Sequence, residues 1–112
     1  MGDVSHSKEP VERQIEVAVV ALRMLAEPTR LMLLWHLAHG GEQDVTALTW
    51  AVGVPRATVS QHLAKLRLAG LVATRREGRH IFYRARGGHV RRLVDEAFNT
   101  ADHQVTGAPE HD

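Results

Sequence analysis

Ten arginines and lysines fall between positions 56 and 92 (Arg56, Lys65, Arg67, Arg75, Arg76, Arg79, Arg84, Arg86, Arg91 and Arg92), against one acid, Glu77. Residues 1–55 hold four basic and seven acidic side chains, and residues 93–112 hold five acids and no Lys or Arg. The formal net charge of +1 therefore hides one strongly cationic third of the chain. Cations crowded without interleaved acids repel one another unless an anion meets them, and a phosphate backbone is such an anion. Two groups inside the block are poised for it. Arg56, Thr58, Ser60, Gln61 and Lys65 lie across a helical period from the apolar stripe Val59, Leu63 and Leu66. Short hydrogen-bonding side chains in the first turns of such a helix suit base edges. Arg75, Arg76 and Arg79, with His80, crowd a Gly-bearing turn, from which guanidinium groups reach phosphates or a minor groove.

Other chemistries are poorly served. The chain has no cysteine, which removes disulfides, thiolate ligands, thiol nucleophiles and thiol redox sensing together. No His-Glu-x-x-His or comparable nucleophile-base set is present, so a small hydrolytic metalloenzyme is disfavoured and no catalytic residue is expected. Residues 1–10 are polar and carry no signal-like apolar run, and apolar stretches such as residues 31–35 are far too short for a bilayer. A cytoplasmic protein with no membrane partner is the expectation.

The positioning elements follow from periodicity. Ile15, Ala18, Val19, Leu22 and Leu25 fall on one stripe of a helix over 11–25, while Val17, Val20, Ala21 and Met24 add apolar surface beside it. A helix apolar on two sides needs its own core on one and a second subunit on the other. Pro28 opens a helix to about residue 38 with Leu31, Leu34, Trp35 and Leu37 inward, and Gly40-Gly41 end it. Asp44 caps a short helix over 45–52 with Leu48, Ala51 and Val52 inward. Gly53-Val54-Pro55 then turns the chain into the helix from Arg56 to about 69, which makes a helix-turn-helix. Runs 71–76 and 80–86 alternate as two strands of a hairpin, the wing, with Ile81 and Tyr83 on one face and Phe82 and Arg84 on the other. Gly87-Gly88 breaks it, and Val90, Leu93, Val94, Ala97, Phe98 and Ala101 stripe a last helix from about His89. The class is mainly α with a β-hairpin, ordered α-α-α-α-β-β-α. One domain spans 11–105 between a flexible N-terminal arm, 1–10, and a flexible tail, 106–112. Only five residues are aromatic, so the core rests on small aliphatics, and a shared dimer surface would help it.

Three segments carry a family likeness: Leu25-Ala26-Glu27-Pro28-Thr29-Arg30-Leu31, the run from Val59 through Gln61, His62 and Lys65 to Leu66, and Gly78-Arg79-His80-Ile81-Phe82-Tyr83. Together, over roughly residues 15–103, the chain resembles the ArsR/SmtB family of metal-responsive repressors. The resemblance implies a homodimeric winged helix-turn-helix joined through its first and last helices and bound to a palindromic double-stranded operator. By matched position it puts Arg56, Thr58, Ser60 and Gln61 in the major groove and Arg75, Arg76 and Arg79 on the wing. His62 is assigned to helix packing, and His36, His39 and His80 to structural or surface roles.

The resemblance also implies a metal site. The thiolate site of some members is absent, since Asp44 and Thr46 stand at those positions. A second location is the last helix. His89 and His103 are 14 residues apart there, on about the same side, and roughly 21 Å apart at 1.5 Å per residue. One helix cannot bring both to one ion; an antiparallel partner helix can, and two-fold symmetry then gives two equal sites. The usual set is broken at Gly87, a carboxylate position, and at Thr100, the third-ligand position. What remains, His89, Asp102, His103 and His111, resembles the nickel/cobalt-responsive branch, with Asp112 and His6 as weaker candidates. Imidazole and carboxylate donors without sulfur suit nickel or cobalt, and zinc accepts them too. The competing reading is a DNA-binding module with a degenerate metal site, governed by a protein co-regulator.

Overall fold

The computed structural model describes residues 8–106. His6, His111 and Asp112 lie outside the described residues, as do most of the expected arm and tail. The elements are α1 (Glu12–Leu25), α2 (Pro28–Gly40), β1 (Gln43–Asp44), α3 (Val45–Val52), α4 (Arg56–Leu68), β2 (Val72–Glu77), β3 (His80–Ala85) and α5 (Gly87–Thr106).

Local chemistry sets most of these boundaries. Gln14 reaches back to the Val11 N–H at 2.9 Å, closing the first turn of α1. The Glu27 carboxylate accepts the Arg30 N–H at 2.8 Å, with Pro28 in the first turn of α2, where its missing N–H costs nothing. Asp44 caps α3 as its position suggested, accepting the Ala47 N–H at 2.9 Å. The helix-turn-helix corner depends on Gly53, whose φ of 72° is open to a residue without Cβ; its N–H donates to the Thr49 carbonyl at 2.9 Å.

The hairpin has an additional partner. β1, two residues long, pairs antiparallel with β3, giving a three-stranded sheet in the order β1-β3-β2. Glu77 pairs with His80 across the wing's two-residue turn, where Gly78 has φ 61° and Arg79 stays on the ordinary side. Glycine at the first central position matches the right-handed twist of the flanking strands. The expected alternation in β3 does not hold, because Phe82 is half-buried as well as Ile81 and Tyr83. Its ring lies under the Arg75 guanidinium, 4.7 Å from centroid to Cζ, and beside the His80 ring at 5.5 Å.

The core joins Leu25, Leu33, Leu34, Leu37, Leu48, Val59, Leu63, Leu66, Leu71, Val72, Val90 and Val94, with half-buried Leu31, Trp35, Val52 and Phe98 around it. Leu33, not expected inside, is fully buried, since α2 is packed by α1, α3, α4 and α5 and has no single solvent face. Ala51, expected inside, is exposed. The last helix starts two residues earlier than expected and keeps Thr106 within it. Its stripe divides: Val90, Val94 and Phe98 meet the core, while Leu93, Ala97 and Ala101 remain exposed. The first helix is barely covered at all. Only Leu25 of α1 is buried, and Ile15, Val17, Val19, Val20 and Leu22 are each exposed. Its core-facing side is thus smaller than the sequence suggested, and nearly all of its apolar surface awaits a partner. A groove of about 390 Å³ between α1 and α5 is lined by Leu22, Leu25, Ala26, Leu31, Leu93 and Ala97.

Candidate nucleic-acid interface

Helix α4 divides as its sequence requires. Val59, Leu63 and Leu66 are fully buried against α2, α3 and β2, while Arg56, Ser60, Gln61 and Lys65 are exposed on the other side. Thr58 is half-buried and stands between the two faces. Arg56, at the first position of the helix, donates from Nη1 to the Thr46 hydroxyl at 2.8 Å. The two helices of the corner are therefore tied at their solvent edge as well as through the core.

Between α3, α4 and the wing lies a polar hollow of about 300 Å³, lined by Asp44, Thr46, Arg56, Ser60, Arg79, His80 and Tyr83. His80 Nε2 stands 3.5 Å from Asp44 Oδ2, so the wing tip touches the cap of α3. Two guanidinium groups and three hydroxyls around one hollow, against one carboxylate, give it a cationic balance. Among the described residues, neither Arg76 nor Arg79 makes an ion pair, and both are exposed.

Arg75 is placed differently from its neighbours. Its Nη2 donates to Glu42 Oε1 at 2.8 Å and its Nε to the same oxygen at 3.1 Å, with Glu77 at 3.6 Å and the Phe82 ring below. The hydrogen bond from Arg75 holds the Glu42 carboxyl below its ordinary value, and the same bond raises the Arg75 guanidinium. The lowered Glu42 value means that the ion pair is complete above the ordinary carboxylate range and is lost as pH falls through that lowered value. The arginine thus holds the turn-side half of the wing to the loop before β1, and its charge is already balanced. Glu42 and Thr46 carried no sequence signal of this role, because both partners are distant in sequence and neither breaks a pattern. Trp50 was missed too. It is 85% exposed on α3, one turn beyond Thr46, where an indole has no packing purpose among the described residues.

The histidines separate by environment. His39 Nε2 meets Asp95 Oδ1 at 2.7 Å and its ring stacks on Trp35 at 4.8 Å, fastening α2 to α5. His62 is 14% exposed and turned toward Glu27 and Arg30, away from the open face of α4. His89 is exposed near the start of α5, with Nδ1 2.7 Å from Arg92 Nη2; His103 is half-buried near its end, one residue after exposed Asp102. Among the described residues, no three His, Cys, Asp or Glu side chains gather as a metal would need. At the third-ligand position the Thr100 hydroxyl donates to the Glu96 carbonyl at 2.9 Å and is occupied within its own helix.

A helix-turn-helix domain model matches residues 25–75. The HTH-type transcriptional regulator KmtR of Mycobacterium tuberculosis is 50% identical over 98 residues, spanning 88% of this chain and 75% of the relative. A solution structure from Mycobacterium bovis, a homodimeric winged helix-turn-helix DNA-binding domain described as a possible ArsR-family regulator, superposes with a TM-score of 0.78 at 30% identity, covering 96% of this chain and 100% of that one.

The chain belongs to the ArsR/SmtB family.

A further ArsR/SmtB-type relative, the regulator NmtR of Mycobacterium tuberculosis, is 40% identical over 99 residues, covering 88% of this chain and 82% of the relative. As an ArsR/SmtB protein the chain is a winged-helix, DNA-binding transcriptional repressor and not an enzyme. Among the described residues no helix is long and apolar enough to cross a membrane.

Proposed function

We propose that this ArsR/SmtB repressor works as a homodimer joined through α1 and α5, and that nickel, with cobalt or zinc as alternatives, modulates its grip on a palindromic operator. In this reading α4 enters the major groove with Arg56, Thr58, Ser60, Gln61 and Lys65, and Arg76 and Arg79 of the wing hold the backbone beside it, with Arg75 bracing the hairpin that carries them. Paired recognition helices of a two-fold dimer read half-sites roughly 34–36 Å apart.

The placement of His89 and His103 at opposite ends of α5 carries the metal reading. Within one chain they cannot meet, and beside them runs the exposed apolar side of α5 that a second α5 would cover. The described donors do not fit an ion held within a single chain, which supports the reading of one shared between two chains. His89, Asp102 and His103 would bind it, joined by His111, and His6 and Asp112 remain weaker candidates outside the described residues. A bound ion would supply a bridge across the dimer seam; the ligand chemistry, nitrogen and oxygen without sulfur, suits nickel or cobalt. Metal changes DNA affinity only by the difference between its affinities for the DNA-competent and the DNA-incompetent dimer.

Calorimetric titration of nickel into the wild type and into His89→Ala and His103→Ala tests the site. Each substitution is expected to weaken binding at least tenfold; equal affinity in all three proteins would remove the assignment. A gel-shift titration with and without nickel tests the response, and unchanged operator affinity would favour control by a protein partner instead.

A further inference from the structure

Two of the segments that mark the family, residues 25–31 and 59–66, meet in space at a point that faces neither the expected DNA surface nor the α5 histidines. Arg30 of α2 is the hub. Its Nε donates to the Met24 carbonyl at 2.9 Å and its Nη2 to the Arg23 carbonyl at 3.2 Å, so it holds the last turn of α1. Its Nη1 stands 3.3 Å from Nδ1 of His62, on the recognition helix α4. A guanidinium only donates, so the His62 Nδ1 must accept. That places the ring proton on Nε2, which points to Glu27 Oε1 at 3.7 Å. The same Glu27 oxygen accepts the Arg30 N–H at 2.8 Å and caps α2. One histidine thus closes a ring of polar contacts that joins the end of α1, the start of α2 and the second turn of α4.

We propose that His62 is a positioning residue for operator recognition: clasped by Arg30 and Glu27, it sets the angle of the recognition helix relative to the end of α1. Buried leucines around Leu63 and Leu66 hold α4 in place, but dispersion is non-directional and permits small rolls about the helix axis. A directed hydrogen bond to a guanidinium, with a carboxylate facing the other ring nitrogen, restricts that roll, and side chains that read bases require placement to within a fraction of an ångström. The clasp is also the direct polar route from α1 to α4, so a change in how α1 is held arrives at the reading head through Arg30. The inference rests on the family's DNA binding and not on the identity of any metal.

The test compares a duplex selected from a random-sequence library on the wild-type protein with a scrambled duplex of equal composition, at fixed salt. The readout is the ratio of the two affinities, beside the melting temperature and the solution mass. His62→Leu, which keeps the volume and removes both ring nitrogens, is expected to lower the ratio at least tenfold while affinity for the scrambled duplex stays within about twofold, since phosphate contacts do not need exact roll. His62→Gln, with one acceptor and one donor, should restore the ratio to within about threefold of wild type. Arg30→Lys keeps the charge but cannot span all three partners. It should lower the ratio as well, and its combination with His62→Leu should be no worse than His62→Leu alone. A wild-type ratio in His62→Leu, equal loss for both duplexes, or a His62→Gln protein as impaired as His62→Leu would each overturn the proposal. If His62→Leu does not fold, an unchanged ratio in Arg30→Lys overturns it in the same way.

Discussion

At the scale of single residues, the basic block proves to be divided between contacts within the fold and charges facing water. Arg75 is engaged by Glu42 and Arg91 lies 3.5 Å from Asp95, whereas Arg76 and Arg79 face solvent on the wing. Removing the Glu42 charge should therefore release a guanidinium for DNA. Glu42→Gln is expected to tighten binding to a scrambled duplex several-fold at low salt and to steepen the salt slope by about one counterion. Fluorescence anisotropy across a salt series measures both, and an unchanged slope would show that Arg75 stays held at the loop before β1. Trp50 offers a second readout at this scale. The chain has two tryptophans, so Trp35→Phe leaves Trp50 as the sole indole. Its emission should shift or quench when a selected operator duplex binds, because the first helix of a helix-turn-helix crosses the DNA backbone. Emission unchanged at saturating duplex would place α3 away from the DNA.

At the scale of elements, helix type and order were legible because each signal was local. Asp44 as a cap, Gly53 at the corner and the Val59–Leu63–Leu66 stripe depend on neighbours in sequence, and the structure keeps all three. What escaped depends on pairing at a distance. β1 is two residues long and becomes a strand only because Gln43 and Asp44 meet Tyr83 and Phe82. The Arg56–Thr46 and Arg30–His62 contacts span 10 and 32 positions, a range at which periodicity carries no information. The stripe on α5 was read correctly as apolar, yet its division between core and exposed face is set by where α2 lies. The two-sided reading of α1 has a direct test. Burying a half-exposed aliphatic side chain gains about 1 kcal/mol, so the five exposed on α1 together supply about 5 kcal/mol per chain. Two chains together supply about 10 kcal/mol, within the roughly 4–15 kcal/mol that association costs, so α1 helices alone leave little net affinity and the α5 side beside them must contribute. Leu22 lies where the two helices meet, on the shared groove. Leu22→Asp is expected to shift the protein to a single chain in sedimentation equilibrium while leaving its far-UV circular dichroism intact. A dimer of undiminished affinity would put the seam elsewhere.

At the scale of the whole molecule, the metal reading and the dimer reading are one physical statement, and that makes them jointly testable. His89 and His103 sit on a single straight helix about four turns apart, roughly 21 Å by helical rise, which no ion with bonds of about 2 Å can bridge. If the donors of one site come from two chains, nickel affinity must depend on association even when every donor is intact. Leu22→Asp changes no proposed ligand. It should nonetheless lower nickel affinity at least tenfold at micromolar protein. The loss should shrink as protein concentration rises, because nickel then draws the chains together by mass action. Wild-type protein should show no such dependence while it stays paired. Isothermal titration at two protein concentrations, with sedimentation run on the same samples, separates the outcomes. Nickel bound at wild-type affinity by the unpaired variant would mean that one chain holds the ion by itself. The bridge across α5 would then be withdrawn, and with it the means by which an ion could set the spacing of two recognition helices.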